Sequence, residues 1–211
     1  MSALDMISAD LRGGYHAHAA DLMKVAYQVQ GHRAFESTKR CAAIHEAGHC
    51  VVNTITADRD HGGQWWPPDS TRIWREPVKV LCCWLGETRP AKNAPPFRVD
   101  ARQDPAGFMT MAVQALGGVV AEMLFDGGDY RLGSSIDEWM VAGGCCRTLE
   151  TVGLFPTAEQ ALSALMTMTG QMLKANTHVV ESIADRLERQ RRIECAELAE
   201  LLRDVRKEPK S

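Results

Sequence analysis

The chain has 211 residues, of which 45% are hydrophobic and 24% charged, and its formal net charge is −3. That is enough length for one domain with an appendage and a sizeable core, in a composition ordinary for a globular protein. The weakly acidic balance argues against nucleic-acid binding, and no stretch reads as a membrane span or a signal-peptide core. Seven Cys, including the adjacent pairs Cys82-Cys83 and Cys145-Cys146, contain no CxxC spacing. Reduced thiols in a cytoplasm are therefore expected.

Residues 1–35 read as an N-terminal arm. A short amphipathic helix is expected over residues 17–30, and His16 and His18 read as solvated side chains near a terminus. The domain proper is expected over residues 36–211. It opens on a helix that Ser37 or Thr38 can cap and that runs without Pro to about Ala57. Cys41, Ile44, Gly48, Val51, Val52 and Ile55 recur at helical spacing and describe a buried stripe. Within this helix lies His45-Glu46-Ala47-Gly48-His49, an H-E-x-x-H motif. Residues four apart share a helix face, so His45 and His49 can aim two imidazoles at one ion. Glu46 beside them is placed to accept a proton from water. The pattern points to a zinc site flanking the buried stripe, shielded yet reachable.

Residues 58–104 are punctuated by Gly and Pro, which excludes long helices. Residues 78–85 read as a strand bounded by Pro77 and Gly86, and Arg72-Ile73-Trp74 as a second. A small sheet here either offers its edge to an extended peptide or merely covers the helices. Trp65 and Trp66 read equally as a substrate contact or a local plug.

Asp104 and Pro105 open a second helix, rich in apolar residues and closed at Asp126-Gly127-Gly128. In its interior Gly117 and Gly118 each cost about 1 kcal/mol relative to Ala. Such a pair is explained by another backbone packing close, with Gly48 as the expected partner. Ser135 and Glu138 form a capping box for a third helix, with Asp137 in its first turn. A zinc site with two histidines needs a third protein ligand, and Asp137, Glu122, Asp126, Asp129 and Glu138 all compete for the role. Residue patterns alone leave that choice open. Beyond, Thr157 and Gln160 form another capping box. Stripes through Leu162 and Leu165, Val179 and Ile183, and Leu198 and Leu202 complete a helical scaffold, with Arg186, Arg189, Arg191 and Arg192 on a solvated face.

Three blocks in order resemble the peptidase domain of the FtsH family, zinc proteases normally fused to an AAA+ ATPase and a membrane anchor. They are His45-Glu46-Ala47-Gly48-His49 with Val51-Val52, Leu116-Gly117-Gly118-Val119-Val120-Ala121-Glu122, and Gly133-Ser134-Ser135-Ile136-Asp137. A C-terminal pair of helices, His178 to Leu202, also resembles the family's ending, and the likeness as a whole spans about residues 36–205. It implies a mainly α, zincin-like peptidase domain with a small sheet inserted after the H-E-x-x-H helix. It also implies Zn2+ held by His45, His49 and Asp137, with Glu46 as the catalytic acid/base. The third block departs from the family at Ile136, which stands where an Asn is usual. No G-x-x-x-x-G-K-[ST] occurs, so no ATPase is expected in this chain. The implied activity is endopeptidase cleavage of peptides or unfolded protein segments, with an ATPase borrowed from a separate chain and a homo-oligomer compatible with the family. The competing reading is a catalytically retired fold kept as a metal-stabilised interaction module.

Overall fold

A computed structural model describes Gln28, Gly31 and residues 36–57, 67–76, 83–90, 104–126 and 136–207. The arm over residues 1–35, with His16 and His18, lies outside these apart from Gln28 and Gly31, as do Trp65 and Trp66. Helix α1 (Lys39–Ala57) begins where the Thr38 hydroxyl accepts the Cys41 N–H at 3.0 Å, which satisfies one of the donors left open at a helix start. The expected stripe is buried, and so are Ala42, Ala43, Ala47 and Cys50. Helix α1 is therefore wrapped on most sides. It is the centre of the molecule.

Helix α2 (Pro105–Phe125) crosses α1. The Asp104 carboxylate accepts the Gly107 N–H at 2.8 Å and Pro105 occupies the first turn, both as expected from sequence. At its far end Asp126 has φ −104°, and Gly127 and Gly128 lie outside the described residues. With a mean hydropathy of 1.6 over an 18-residue stretch, the 21-residue α2 is long and apolar enough to cross a membrane, contrary to the sequence expectation. Yet 56% of that stretch is buried against neighbouring elements, which is what a core helix shows.

The two helices meet at their glycines. A Cβ on Gly48 would collide with the Gly117 carbonyl and the Ala121 methyl, and one on Gly117 would crowd the Gly48 carbonyl at 3.3 Å. Only a residue without a side chain lets the two backbones come this near. The expected Gly48–Gly117 contact is present.

Strands β1 (Pro68–Glu76) and β2 (Cys83–Pro90) pair antiparallel after α1, with Thr71 opposite Thr88 and Ile73 opposite Gly86. Arg72-Ile73-Trp74 falls inside β1 as expected. The second strand differs from its expected span, since residues 78–82 lie outside the described residues and β2 continues through Gly86 to Pro90. Gly86 does not end a strand. It leaves room for the side chain of Glu46, whose Cγ and carboxylate fill the place a Cβ would take.

Helices α3 (Ile136–Thr151), α4 (Ala158–Ala175), α5 (Thr177–Gln190) and α6 (Cys195–Leu202) complete the helical body. Thr157 caps α4 by accepting the Gln160 N–H at 3.2 Å, whereas Ser135, the expected cap of α3, lies outside the described residues. Arg40 ties α1 to α5 through Asp185 at 2.5 Å and Glu188 at 2.9 Å. After α5 the chain turns at Arg191, φ 65°, whose carbonyl accepts the Ile73 N–H at 2.8 Å. That turn delivers the two-residue strand β3 (Arg192–Ile193) to the other side of β1, giving the sheet order β2-β1-β3. Nothing in the sequence pattern announced β3. The result is a mainly helical fold with a small antiparallel sheet.

Replacing Gly48 by Ala would raise intrinsic helix propensity by up to about 1 kcal/mol on an open helix. Here overpacking against Gly117 wins, so Gly48→Ala should lose roughly 1–3 kcal/mol in urea unfolding.

Candidate metal centre

The H-E-x-x-H spacing places His45 and His49 one turn apart on the α1 face that looks at α2 and α3. The two rings stand edge to face, 4.8 Å between centroids. Their outward nitrogens are tied down by α2. His45 Nδ1 lies 2.6 Å from Glu122 Oε1, and His49 Nδ1 donates to the Gln114 carbonyl at 3.0 Å. Gln114, Gly118 and Glu122 are spaced by four, so one row of α2 supplies both partners. Gly118, midway, is bare because the His45 ring occupies the volume its Cβ would need.

With both Nδ1 atoms held, both Nε2 atoms turn to one point, 3.0 Å apart. Helix α3 brings Glu138 there: its Oε1 lies 3.5 Å from His45 Nε2 and 4.0 Å from His49 Nε2. His45, His49 and Glu138 together form a group able to hold a metal ion. Asp137, the ligand implied by the family resemblance, is exposed on α3 and is not in this group. The reason is helical geometry. Adjacent residues on a helix point about 100° apart, so α3 cannot present Asp137 and Glu138 to the same place. Glu122, another of the competing acids, backs His45 from behind; a carboxylate in that position fixes the tautomer and raises the basicity of a metal-binding imidazole.

Glu46 follows His45 on the neighbouring face and lines the same open cleft, together with Ser37, Ala42, Trp84, Leu85, Gly86, Glu122 and Glu138. Thr88 on β2 donates its hydroxyl to Glu46 Oε2 at 2.7 Å. Having given its one proton away, Thr88 accepts from the Thr71 hydroxyl at 3.0 Å. Strand β2 thus holds the Glu46 carboxylate from the side and, through Gly86, from above. Thr88, Gly86 and the Gln114 carbonyl carry no sequence signature; the sequence marks Glu122 as a competing acid and as part of the second motif block, but not as the partner of His45 Nδ1.

The charges are strongly coupled. Burial pushes the Glu46 carboxyl up to about 7, against the opposing pull of the His45 charge and the Thr88 hydrogen bond. Burial disfavours charge on His45 too, but hydrogen bonds to Glu122 and Glu138 outweigh it and hold its pKa well above the ordinary value. His49 moves the other way, lowered by burial and by the adjacent His45 charge. Glu138 is lowered despite its burial, because it bonds and faces the imidazoles. Two nitrogens 3.0 Å apart cannot both be charged, so one proton stays on His45 between the two glutamates.

No family model matches the chain, and no curated protein does. The likeness to FtsH-type peptidases rests on the three motif blocks and the C-terminal helix pair.

Two outcomes follow for metal uptake, read by competition with a chromogenic chelator. Glu138→Ala should weaken binding by about 10- to 100-fold or more, whereas Asp137→Ala should leave it within about twofold; the reverse order would restore the third-block aspartate as ligand. Binding needs a neutral His45, so affinity should fall as pH drops through its raised pKa, with a proton released on uptake.

Proposed function

We propose that this chain is a zinc-dependent endopeptidase with a zincin-like site resembling the FtsH peptidase domain. The observation that carries this reading is the convergence of two imidazole Nε2 atoms and one carboxylate oxygen, with a second, buried carboxylate beside them. In a tetrahedral zinc site with bonds of about 2.0–2.2 Å, neighbouring donor atoms stand about 3.3–3.6 Å apart. Separations of 3.0, 3.5 and 4.0 Å bracket that edge, so His45, His49 and Glu138 fit the ion. Three protein ligands leave one position for solvent, as catalytic sites do and structural sites do not. That count, with Glu46 intact next door, favours an enzyme over a retired interaction module.

Zinc in this position supplies Lewis acidity, lowering the pKa of water toward 7 and polarising a carbonyl. The chain supplies the rest. Glu46 takes the proton of the attacking water and hands it to the departing amine. Thr88 and Gly86 keep that carboxylate oriented through the transfer. Glu122 and Gln114 keep the imidazoles aimed.

Among the described residues β2 is paired on one side by β1, and Ser37 takes the Trp84 N–H on the other at 3.1 Å. By strand alternation, Gly86 presents its N–H and C=O toward that same edge, beside Glu46. An extended peptide can add there as a further strand and set a scissile bond over the metal centre. The substrates are accordingly peptides or unfolded protein segments. An ATPase on a separate chain, a homo-oligomeric state and a cytoplasmic setting complete the proposal. The free cysteines Cys41, Cys50, Cys145 and Cys146 are in keeping with the last.

The deciding experiment is the Glu46→Gln variant on an unfolded substrate such as casein. It should bind zinc as the parent does but lose about 10²- to 10⁴-fold in kcat/KM. A chelator should abolish parental turnover, and added zinc should restore it. Full activity in Glu46→Gln would falsify the assignment of the base.

A further inference from the structure

Trp84 lines the cleft from β2, two residues before the glycine that packs on Glu46. Two cations stand over its indole ring: Lys39 Nζ at 5.5 Å and Arg191 Cζ at 5.3 Å from the centroid. Neither forms an ion pair with a carboxylate among the described residues, although Arg40, Arg72, Arg186 and Arg192 all do. Arg191 is also the one described non-glycine residue at positive φ, 65°. It sits just past the end of α5, where a left-handed residue is usually glycine because any Cβ there is strained. A side chain kept at such a position points to a use for it. The ring thus holds two positive charges, without a carboxylate partner among the described residues, beside a cleft lined by Glu46, Glu122 and Glu138.

We propose that Lys39, Trp84 and Arg191 form a carboxylate-recognising subsite that selects peptides with an acidic side chain near the scissile bond. The proposal rests on the endopeptidase reading. A peptide added along β2 keeps the strand spacing of about 3.3 Å per residue, so a substrate residue facing Trp84 lies about two residues from the one facing Gly86. The indole ring anchors the two cations, and these take the carboxylate of that side chain. Exposed charges attract weakly and are screened by salt, so the preference is moderate and strongest at low ionic strength.

The test uses the zinc-loaded full chain and fluorogenic peptides identical except for one Glu or Gln, moved from three residues before to three after the scissile bond. Wild type should cleave the Glu peptide about five- to tenfold faster in kcat/KM at one position about two residues away, and the ratio should shrink in 0.5 M salt. Arg191→Gly and Lys39→Gln should each bring the ratio toward one, and Arg191→Lys should retain it. Arg191→Gly should melt no lower than wild type, because relief of the left-handed strain offsets the lost ring contact; this separates lost recognition from lost folding. Equal cleavage of Glu and Gln peptides at every position overturns the proposal while leaving the peptidase intact. A preference that follows only a free C-terminal carboxylate, and vanishes on amidation, overturns the side-chain assignment in favour of a chain end. Fluorescence anisotropy of the same peptides on zinc-loaded Glu46→Gln reads the subsite without turnover. Tighter binding of the Glu peptide there supports the subsite even if no cleavage is seen, and equal binding overturns it.

Discussion

The close approach of α1 and α2 at Gly48 and Gly117 governs the rest of the molecule. Helices normally pack 8–10 Å apart, at a distance set by the side chains between them. With bare backbones at the crossing, α2 comes near enough for its own groups to reach the α1 histidines. The Gln114 carbonyl and the Glu122 carboxylate each take one Nδ1, and Gly118 leaves the volume that the His45 ring fills. A wider crossing would leave both imidazoles free to rotate, with their Nε2 atoms unmatched. The candidate metal centre is thus a consequence of how two helices pack.

The sheet does for Glu46 what α2 does for the histidines. Thr88 and Gly86 on β2 clamp the carboxylate, and the same strand carries Trp84 to the cleft mouth. β2 is held in turn by β1, and β1 by the short β3 that follows Arg191. The C-terminal turn of α5 is therefore linked through backbone hydrogen bonds to the orientation of the proposed base. This explains why a two-residue strand far along the chain belongs to the site's support.

Burial of so many ionisable groups is costly unless each has a partner. Here the cost is offset by alternation of charge: Glu122, His45 and Glu138 form a chain of acid, base and acid, and Glu46, pushed up to about 7, is divided between its two forms near neutral pH. Such opposed shifts on neighbouring groups are the environment in which proton transfer at neutral pH becomes practicable.

Much of this was legible from residue order, and the limit has a definite physical cause. Helical periodicity, the caps at Thr38, Asp104 and Thr157, and the pairing of His45 with His49 all depend on intervals of a few residues along one helix, while the Gly48–Gly117 contact is signalled by glycines whose cost inside a helix calls for a close neighbour. Local backbone geometry settles such features. The third carboxylate was not settled that way. The first turn of α3 offers Asp137 and Glu138, side by side in sequence but about 100° apart around the helix axis, and only the rotation of α3 against α1 and α2 brings Glu138 to the imidazoles. The clamp of Thr88 on Glu46, the passage of β2 through Gly86 and the return of β3 to β1 are likewise matters of tertiary contact. They join residues tens of positions apart through packing that no short interval encodes.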